Sequence, residues 1–289
     1  MELREKARRA FYAIKSQIYI KIPIRIWLKL FESVIEPVLL YGSEVWGPIS
    51  YQNQAHWDKN PVETLHLEFC KSILQVHRKT TNKACRAELG QLPLFIKIQK
   101  RAIKYWLHLK NSDPHSYQQK ALQHQELSKE KSPLTQLVLM LRSPPDPVLP
   151  QDQSGNQPIR VNHIITQQKL NYITNWNTQT KAQSKMQCYL SLKREYSVAD
   201  YLTTVTDTKL RSTLTKYRLS EHSLAIETGR YKQSWLPKEE RFCQLCKRDE
   251  VETELHFLTE CTELQPIRTQ YFPKFKHKHP TFDQNNQHQ

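Results

Sequence analysis

Apolar residues recur at intervals of three and four along most of the chain, which is the period of an amphipathic helix. The first such stripe consists of Leu3, Ala7, Ala10, Phe11, Ile14 and Ile18. A second stripe consists of Trp27, Leu30, Phe31, Val34, Ile35 and Val38. Pro23 favours the first turn of this second helix. Pro37 should kink the helix and Tyr41-Gly42 should end it, because proline lacks an N–H donor and glycine tolerates a left-handed backbone.

The pattern continues through the first half of the chain. Thr80 or Thr81 can cap a short helix that stops at Gly90. The next stripe consists of Leu94, Ile98, Ala102, Tyr105 and Leu109. Residues 115–132 are polar and are predicted as a surface helix, and residues 134–141 as a short apolar helix.

Five prolines interrupt this pattern between Ser143 and Pro158, where no periodicity remains, so the stretch is predicted as a linker. Helical periodicity returns with Ile164, Ile165, Leu170, Ile173 and Trp176. The region 186–205 fits a helix or a strand. Thr206 or Asp207 can cap the helix that follows.

The C-terminal part contains the clearest chemical motif. Cys243 and Cys246 form a C-x2-C pair, followed by His256 and by Cys261. Three thiolates and one imidazole make the closed four-ligand set of a structural zinc site, and Thr253 can cap the helix that carries the histidine. A redox C-x-x-C pair is the alternative, but it needs a βαβ setting that the pattern does not show.

These patterns predict a mostly α fold, with a helical bundle followed by a linker, a second helical segment and a small zinc knuckle. Only five glycines occur, which disfavours β-sandwiches and phosphate-cradling loops. Cys70, Cys85 and Cys188 lack partners at metal spacing and are predicted as core residues. The predicted regions are basic helices at 1–142, the linker at 143–159, a helical connector at 160–240, the knuckle at 241–265 and a basic flexible tail at 266–289.

The formal net charge of +15 indicates a polyanionic partner, RNA or DNA, although a solvated surface is the simpler alternative. Two predicted helices have basic outer faces. The candidate phosphate contacts are Arg4, Arg8, Arg9, Lys15, Lys97, Lys100, Arg101, Lys104, Arg230 and Arg241. Near the knuckle, Tyr231, Trp235 and Phe242 are candidates for stacking on unpaired bases, with core packing as the alternative.

Motifs of catalysis are absent from the sequence. No Asp-Asp pair occurs to hold two divalent ions, and no phosphate-binding loop, nucleophile elbow or H-E-x-x-H motif is present. Lone residues such as Asp200, Asp207 and His66 are better explained by local or solvent contacts. We therefore expect no enzymatic activity and no small-molecule substrate.

Three segments resemble LINE-type (non-LTR) retrotransposon reverse transcriptases. They are residues 30–47, read as Leu-Phe-Glu-Ser-Val-Ile-Glu-Pro-Val-Leu-Leu-Tyr-Gly-Ser-Glu-Val-Trp-Gly; residues 69–94, with Ala87-Glu88-Leu89-Gly90; and residues 227–243, with Glu227-Thr228-Gly229-Arg230-Tyr231 ahead of Arg241-Phe242-Cys243. A terminal Cys/Cys/His/Cys knuckle is also typical of this family. The resemblance spans nearly the whole chain in the family's order and places it after the polymerase core, in the thumb and knuckle.

The resemblance implies a role without the family's chemistry. The catalytic carboxylates of the family lie upstream, in the fingers and palm, so this chain is expected to be a non-catalytic nucleic-acid-binding remnant. Trp27, Tyr41 and Trp46 are expected to be exposed where the palm would pack. The alternatives are an RNA-directed DNA polymerase truncated at gene prediction, a zinc-stapled protein-interaction module and a decayed reading frame.

Targeting signals are not apparent either. The N-terminal residues include no apolar segment of a signal peptide, and no apolar run approaches the ~20 residues of a membrane span. We therefore expect an intracellular protein, in the nucleus or cytoplasm, that is neither secreted nor membrane-bound.

Overall fold

The computed structural model describes residues 2–18, 22–47, 54–127, 157–231, 233 and 235–278. These residues are mostly helical, which confirms the predicted fold class. No strand occurs among them, and the two isolated antiparallel bridges join Leu89 to Val198 and Phe242 to Val251. The predicted helix at 134–141, most of the linker and the end of the tail lie outside the described residues.

The helices before the linker are α1 (Glu2–Gln17), α2 (Ile24–Leu30), α3 (Glu36–Leu39), α4 (Ser43–Trp46), α5 (Gln54–Trp57), α6 (Pro61–Leu74), α7 (Asn82–Glu88), α8 (Leu94–Lys110) and α9 (Tyr117–Leu127). After it come α10 (Gln157–Lys181), α11 (Gln187–Leu192), α12 (Tyr201–Thr204), α13 (Thr208–Arg218), α14 (Ala225–Thr228) and α15 (Gln265–Lys278). Two π-helical turns occur at Phe31–Ile35 and His256–Glu260. Short 3-10 turns are formed by Ser184–Met186, Lys238–Glu240 and Thr262–Leu264. Asp207 caps α13 as predicted, since its Oδ1 accepts the Leu210 N–H at 2.9 Å.

The chain divides into two compact units. The first contains Met1–Ala182 and Lys193–Ser212, and the second contains Gln183–Leu192 and Thr213–Gln289. Helix α10, which falls mostly in the predicted connector, packs on α8 within the first unit. Aromatic packing explains this placement, because Trp176 is buried and meets Tyr196 edge-on at 5.2 Å within the same unit.

The core of the first unit forms where α1, α2, the first π-helical turn and α6 meet. The Phe69 ring lies 5.4 Å from Phe11 and 4.4 Å from Phe31. Each buried aromatic side chain contributes about 1.5–3 kcal/mol relative to an exposed one. Three helices that are separate in sequence are therefore held together by one aromatic cluster.

The buried face of the second helical segment differs from the predicted stripe. Its buried apolar residues are Ile24, Leu28, Phe31, Ile35 and Leu39, whereas Val34 is exposed. The difference begins before the π-helical turn Phe31–Ile35, because Ile24 and Leu28 are buried while Trp27 is only half-buried, so the buried face is offset from the predicted one along the whole segment. The turn immediately precedes Pro37, where a bend was predicted. Gly42 ends the segment with φ +68°, as predicted.

A network of charged groups is buried inside the first unit. The Arg86 guanidinium, fully buried, donates to Glu63 Oε1 and to Asp58 Oδ1, each at 2.8 Å, and to the Tyr172 hydroxyl at 3.1 Å. The other Glu63 oxygen accepts from Trp57 Nε1 at 2.7 Å and from a backbone N–H of α8 at 2.9 Å. Every donor around Glu63 thus stabilises its charged form.

Protonation in this network follows from its charges. Burial alone raises the pKa of Glu63, but His66 and Arg86 together lower it to about 2. Burial alone lowers the pKa of His66, and the neighbouring Cys70 and Glu63 raise it to about 10. His66 is fully buried and pairs through Nδ1, 3.1 Å from Glu63 Oε1, whereas its Nε2 has no hydrogen-bond partner among the described residues.

None of the helices in the described ranges combines the length and the apolar character that crossing a bilayer requires.

Candidate metal centre and charged surfaces

The first half of the candidate metal centre is a short hairpin. Phe242 and Val251 form an antiparallel bridge, and the Cys243 N–H donates to Glu250 O at 2.9 Å. The chain reverses through a turn that ends at Cys246, and Lys247 adopts the left-handed conformation with φ +50°. This turn places both cysteines of the C-x2-C pair on the same side of the hairpin.

The second half is a π-helical turn with a polar cap. Thr253 Oγ1 accepts the His256 N–H at 3.0 Å, which confirms the predicted cap. The Cys261 N–H then donates to His256 O at 2.8 Å, closing a five-residue step instead of the four-residue step of an α-helix. The wider turn brings Cys261 beside His256, although four residues separate them in sequence.

The four predicted ligands converge. The Cys243 and Cys261 sulfurs lie 3.9 Å apart, and Cys246 Sγ lies 3.5 Å from His256 Nε2. All four ligand atoms lie within 4.8 Å of one another. Zn–S and Zn–N bonds at tetrahedral angles predict S···S and S···N separations of about 3.8 and 3.6 Å. The cluster therefore has the dimensions of a four-coordinate metal site and could bind a metal ion.

The environment of the cluster favours a bound cation. Burial raises the pKa of the Cys243 thiol to about 11, and a metal ion bound there would lower it by stabilising the thiolate. His256 is buried, and its Nδ1 lies 3.1 Å from Glu250 Oε2 and 3.7 Å from Glu260 Oε2. The Glu250 approach is close but is not aligned as a hydrogen bond. These carboxylates supply negative charge behind the imidazole.

Arg241 holds the hairpin in place from beneath. Its side chain is buried and donates to Leu236 O at 2.8 and 3.0 Å and to Ile226 O at 3.0 Å. Gly229 allows this arrangement, because a Cβ atom there would lie 2.8 Å from Arg241 Cγ. Arg241 was a candidate phosphate contact, but its guanidinium is occupied by backbone carbonyls inside the unit.

Among the candidate phosphate contacts on α1, only Arg9 is exposed and has no partner in the described part of the chain. Arg8 Nε lies 3.2 Å from Glu68 Oε1, and Lys15 donates to Ser72 Oγ at 2.7 Å. Arg4 lies 3.5 Å from Glu5. The acidic and polar partners on α6 are far away in sequence, so no helical periodicity could have identified them.

Helix α8 presents a more continuous basic face. Lys100 and Lys104 are exposed and form no ion pair with any described residue. Lys97 lies 2.6 Å from Glu36 Oε2 and 3.5 Å from Glu32 Oε1, and Arg101 donates to Leu40 O at 2.8 Å. All four cations keep some exposure, but only Lys100 and Lys104 form no ion pair or hydrogen bond with a described residue.

Exposed aromatic residues lie beside this basic face. The hydrogen bond from Arg101 holds the Leu40 backbone against α8. Gly47 also packs against α8, so closely that a Cβ atom on it would lie 2.2 Å from Ile98 Cγ2. The segment between them carries Tyr41, 74% exposed, and Trp46, 43% exposed. Their exposure was expected from the sequence, but the packing of their segment against α8 was not.

The candidates of the second unit are divided between interior and surface. Arg230 lies 3.1 Å from the buried Glu227 and 3.0 Å from Ser184 Oγ, so it supports the unit internally. Tyr231 and Trp235 are 59% and 62% exposed, and Phe242 is half-buried. The net positive charge of the sequence lies almost entirely in the first unit. A phosphate-binding surface is therefore expected on the first unit.

Comparison with known proteins adds no further identification. No protein-family model, curated protein or solved structure matches this chain. The interpretation of the metal centre and of the charged surfaces therefore depends on their own chemistry.

Proposed function

We propose that this chain is a non-catalytic nucleic-acid-binding protein whose knuckle, residues 241–265, is held by a structural zinc ion. The observation that carries the proposal is the basic face of α8 beside exposed aromatic residues. Lys100 and Lys104 are available for phosphate oxygens, and Tyr41 and Trp46 offer ring faces for unpaired bases. This combination favours a single-stranded RNA or DNA ligand.

The choice of zinc is supported by the chemistry of the donors. Three cysteine sulfurs and one imidazole nitrogen suit zinc, whereas magnesium and calcium require oxygen ligands. The cluster supplies all four positions of a tetrahedron and leaves none for a substrate. A bound zinc ion would therefore contribute folding energy to the second unit and would not activate water.

We further propose that the chain is related to the C-terminal portion of LINE-type reverse transcriptases. The support for this relationship is the sequence resemblance, and several residues that carry it also have specific structural tasks. Gly42 adopts a positive φ, Gly229 accommodates Arg241, and Glu227 holds Arg230 and Lys185. The family's polymerase activity is not part of the proposal, because the sequence contains no Asp-Asp pair.

The proposed surface can be tested by the salt dependence of binding. We expect the double variant Lys100→Gln/Lys104→Gln to bind single-stranded RNA or DNA more weakly than the natural chain. Removal of each lysine that neutralises a phosphate should reduce the slope of log K against log salt concentration by about 0.7. Fluorescence anisotropy of a labelled oligonucleotide across a salt series measures both quantities.

The matched control is Lys59→Gln/Lys79→Gln, which removes the same charge from exposed lysines on other turns of the first unit. An equal change of slope in both double variants would show that the effect depends on net charge alone. An unchanged slope in the α8 variant would remove this helix from the binding surface.

A second candidate function is a zinc-stapled protein-interaction module. Exposed apolar residues of the second unit favour it, namely Trp235, Leu236, Leu245, Leu255, Leu258 and Ile267. This unit carries little net charge, so such an interaction would be insensitive to salt. The absence of nucleic-acid binding at low salt would favour this candidate over the first.

A further inference from the structure

A pocket in the first unit combines an apolar floor with two cations. Its volume is about 220 Å³, and its walls come from α1, α2, α6 and the first turn of α13. Phe11 and Ile24 form a buried floor, and Trp27 is half-buried beside them. No acidic residue is among the described residues that line it.

Two cations in the lining of the pocket suit it to an anion. Lys15 Nζ gives one of its three protons to Ser72 Oγ at 2.7 Å, and Arg211 gives one N–H to Val205 O at 3.2 Å. Both cations line the pocket. The two charges are therefore presented to the same small volume by helices α1 and α13.

An unsatisfied hydroxyl also belongs to the lining. Thr208 Oγ1 is buried and has no hydrogen-bond partner among the described residues. A buried hydroxyl without a partner costs free energy, which a bound acceptor would recover. Thr208 and Arg211 lie in the first turn of α13, where backbone N–H groups also favour negative charge. Asp207 occupies part of that turn, because it caps the Leu210 N–H.

The aromatic part of the lining is suited to a planar ring. Trp27 is half-buried and offers a ring face, and ring stacking on such a side chain tolerates any base. The volume is below the ~300 Å³ of pockets for drug-sized ligands, so it has room for one ring system. A ring next to an anion is the chemistry of a single nucleotide.

We propose that this pocket binds one nucleotide unit of a nucleic-acid strand, with the base against Trp27 and the phosphate between Lys15 and Arg211. This proposal depends on the proposed nucleic-acid binding and adds to it one position at which a base of the strand stacks on the protein. It is separate from the basic face of α8, because its cations lie on α1 and α13.

The test compares two labelled strands of equal length, an oligoadenylate and an abasic sugar-phosphate strand, on the full chain. Trp27→Ala should weaken binding of the oligoadenylate about tenfold and leave the abasic strand unchanged, because only the base stacks. Trp27→Phe should restore most of the affinity. Lys15→Gln should weaken both strands and lower the salt slope, whereas Lys29→Gln, an exposed lysine of α2 outside the pocket, should change the affinity less.

The results distinguish failure of the pocket proposal from failure of the proposed nucleic-acid binding. If the natural chain binds the oligoadenylate but Trp27→Ala and Lys15→Gln behave like Lys29→Gln, the pocket proposal is overturned while nucleic-acid binding stands. Absence of binding by the natural chain overturns both. Displacement of the oligoadenylate by dodecanoate but not by adenosine monophosphate would assign the pocket to an alkyl anion and overturn the nucleotide proposal. Thermal unfolding of each variant checks that it is folded.

Discussion

Replacement of Cys246 by serine will abolish stoichiometric zinc binding and unfold the knuckle while the first unit stays folded. The physical reason is that the cluster supplies only four donors, and a serine hydroxyl is a poor substitute for a thiolate. Structural zinc contributes about 10–16 kcal/mol of apparent binding free energy in small domains, so its loss exceeds the stability of a typical domain. Elemental analysis gives the metal content, and hydrogen exchange gives the protection of residues 241–265.

The matched control for this substitution is Cys188→Ser. Cys188 is partly exposed in the same unit but does not belong to the cluster, so its variant should keep one equivalent of zinc. Retention of zinc by Cys246→Ser, or equal loss from both variants, would contradict the assigned site. Equal loss of protection in α6 and α8 would contradict the division into two units.

The second large effect is expected from Glu63→Gln in the buried network. This change removes the negative charge that Arg86 and His66 share, and it leaves the Arg86 guanidinium buried with Asp58 as its remaining carboxylate. Breaking a buried ion pair by removal of one partner costs about 3–5 kcal/mol. Urea unfolding monitored by circular dichroism should therefore show a much lower midpoint for the first unit.

The pH dependence of stability provides an independent measure of the same network. Because the pKa of Glu63 is lowered to about 2 from 4.5, its contribution is present above pH 4.5 and is lost as the pH falls through about 2. The glutamine variant should lack this part of the acid sensitivity. Glu2→Gln, which breaks an exposed pair with Lys6, is the control and should leave the midpoint unchanged. Equal midpoints for the two variants would contradict the role assigned to Glu63.

The metal centre could be predicted from sequence because its information is local. Two cysteines in one turn, and a histidine and a cysteine near one helix end, converge through short-range backbone geometry, and Thr253 caps that end as expected. The proposed preference for zinc follows from donor type alone. The π-helical turn at His256–Glu260 could not be predicted, because it changes the ring size of one hydrogen bond and not the residue pattern.

The availability of the cations could not be predicted from the sequence. Helical periodicity identified basic faces, but it could not show that Glu68 pairs with Arg8, that Glu36 pairs with Lys97, or that Arg241 is buried. The acidic partners lie tens of residues away in the sequence, and the partners of Arg241 are backbone carbonyl oxygens. Ten candidate phosphate contacts therefore had equal weight in the sequence, and the structure distinguishes the exposed ones from those used internally.

The sequence by itself determined the helical class, several helix ends and the ligand set of the metal centre, because periodicity, capping and cysteine spacing are properties of neighbouring residues. Only the tertiary structure decided which face of the segment Ile24–Leu39 is buried, where α10 packs, and how Glu63, His66 and Arg86 form one network. It also placed Lys15, Trp27 and Arg211 around one pocket. These features depend on long-range packing, in which each side chain takes its partner from a segment that local patterns do not specify.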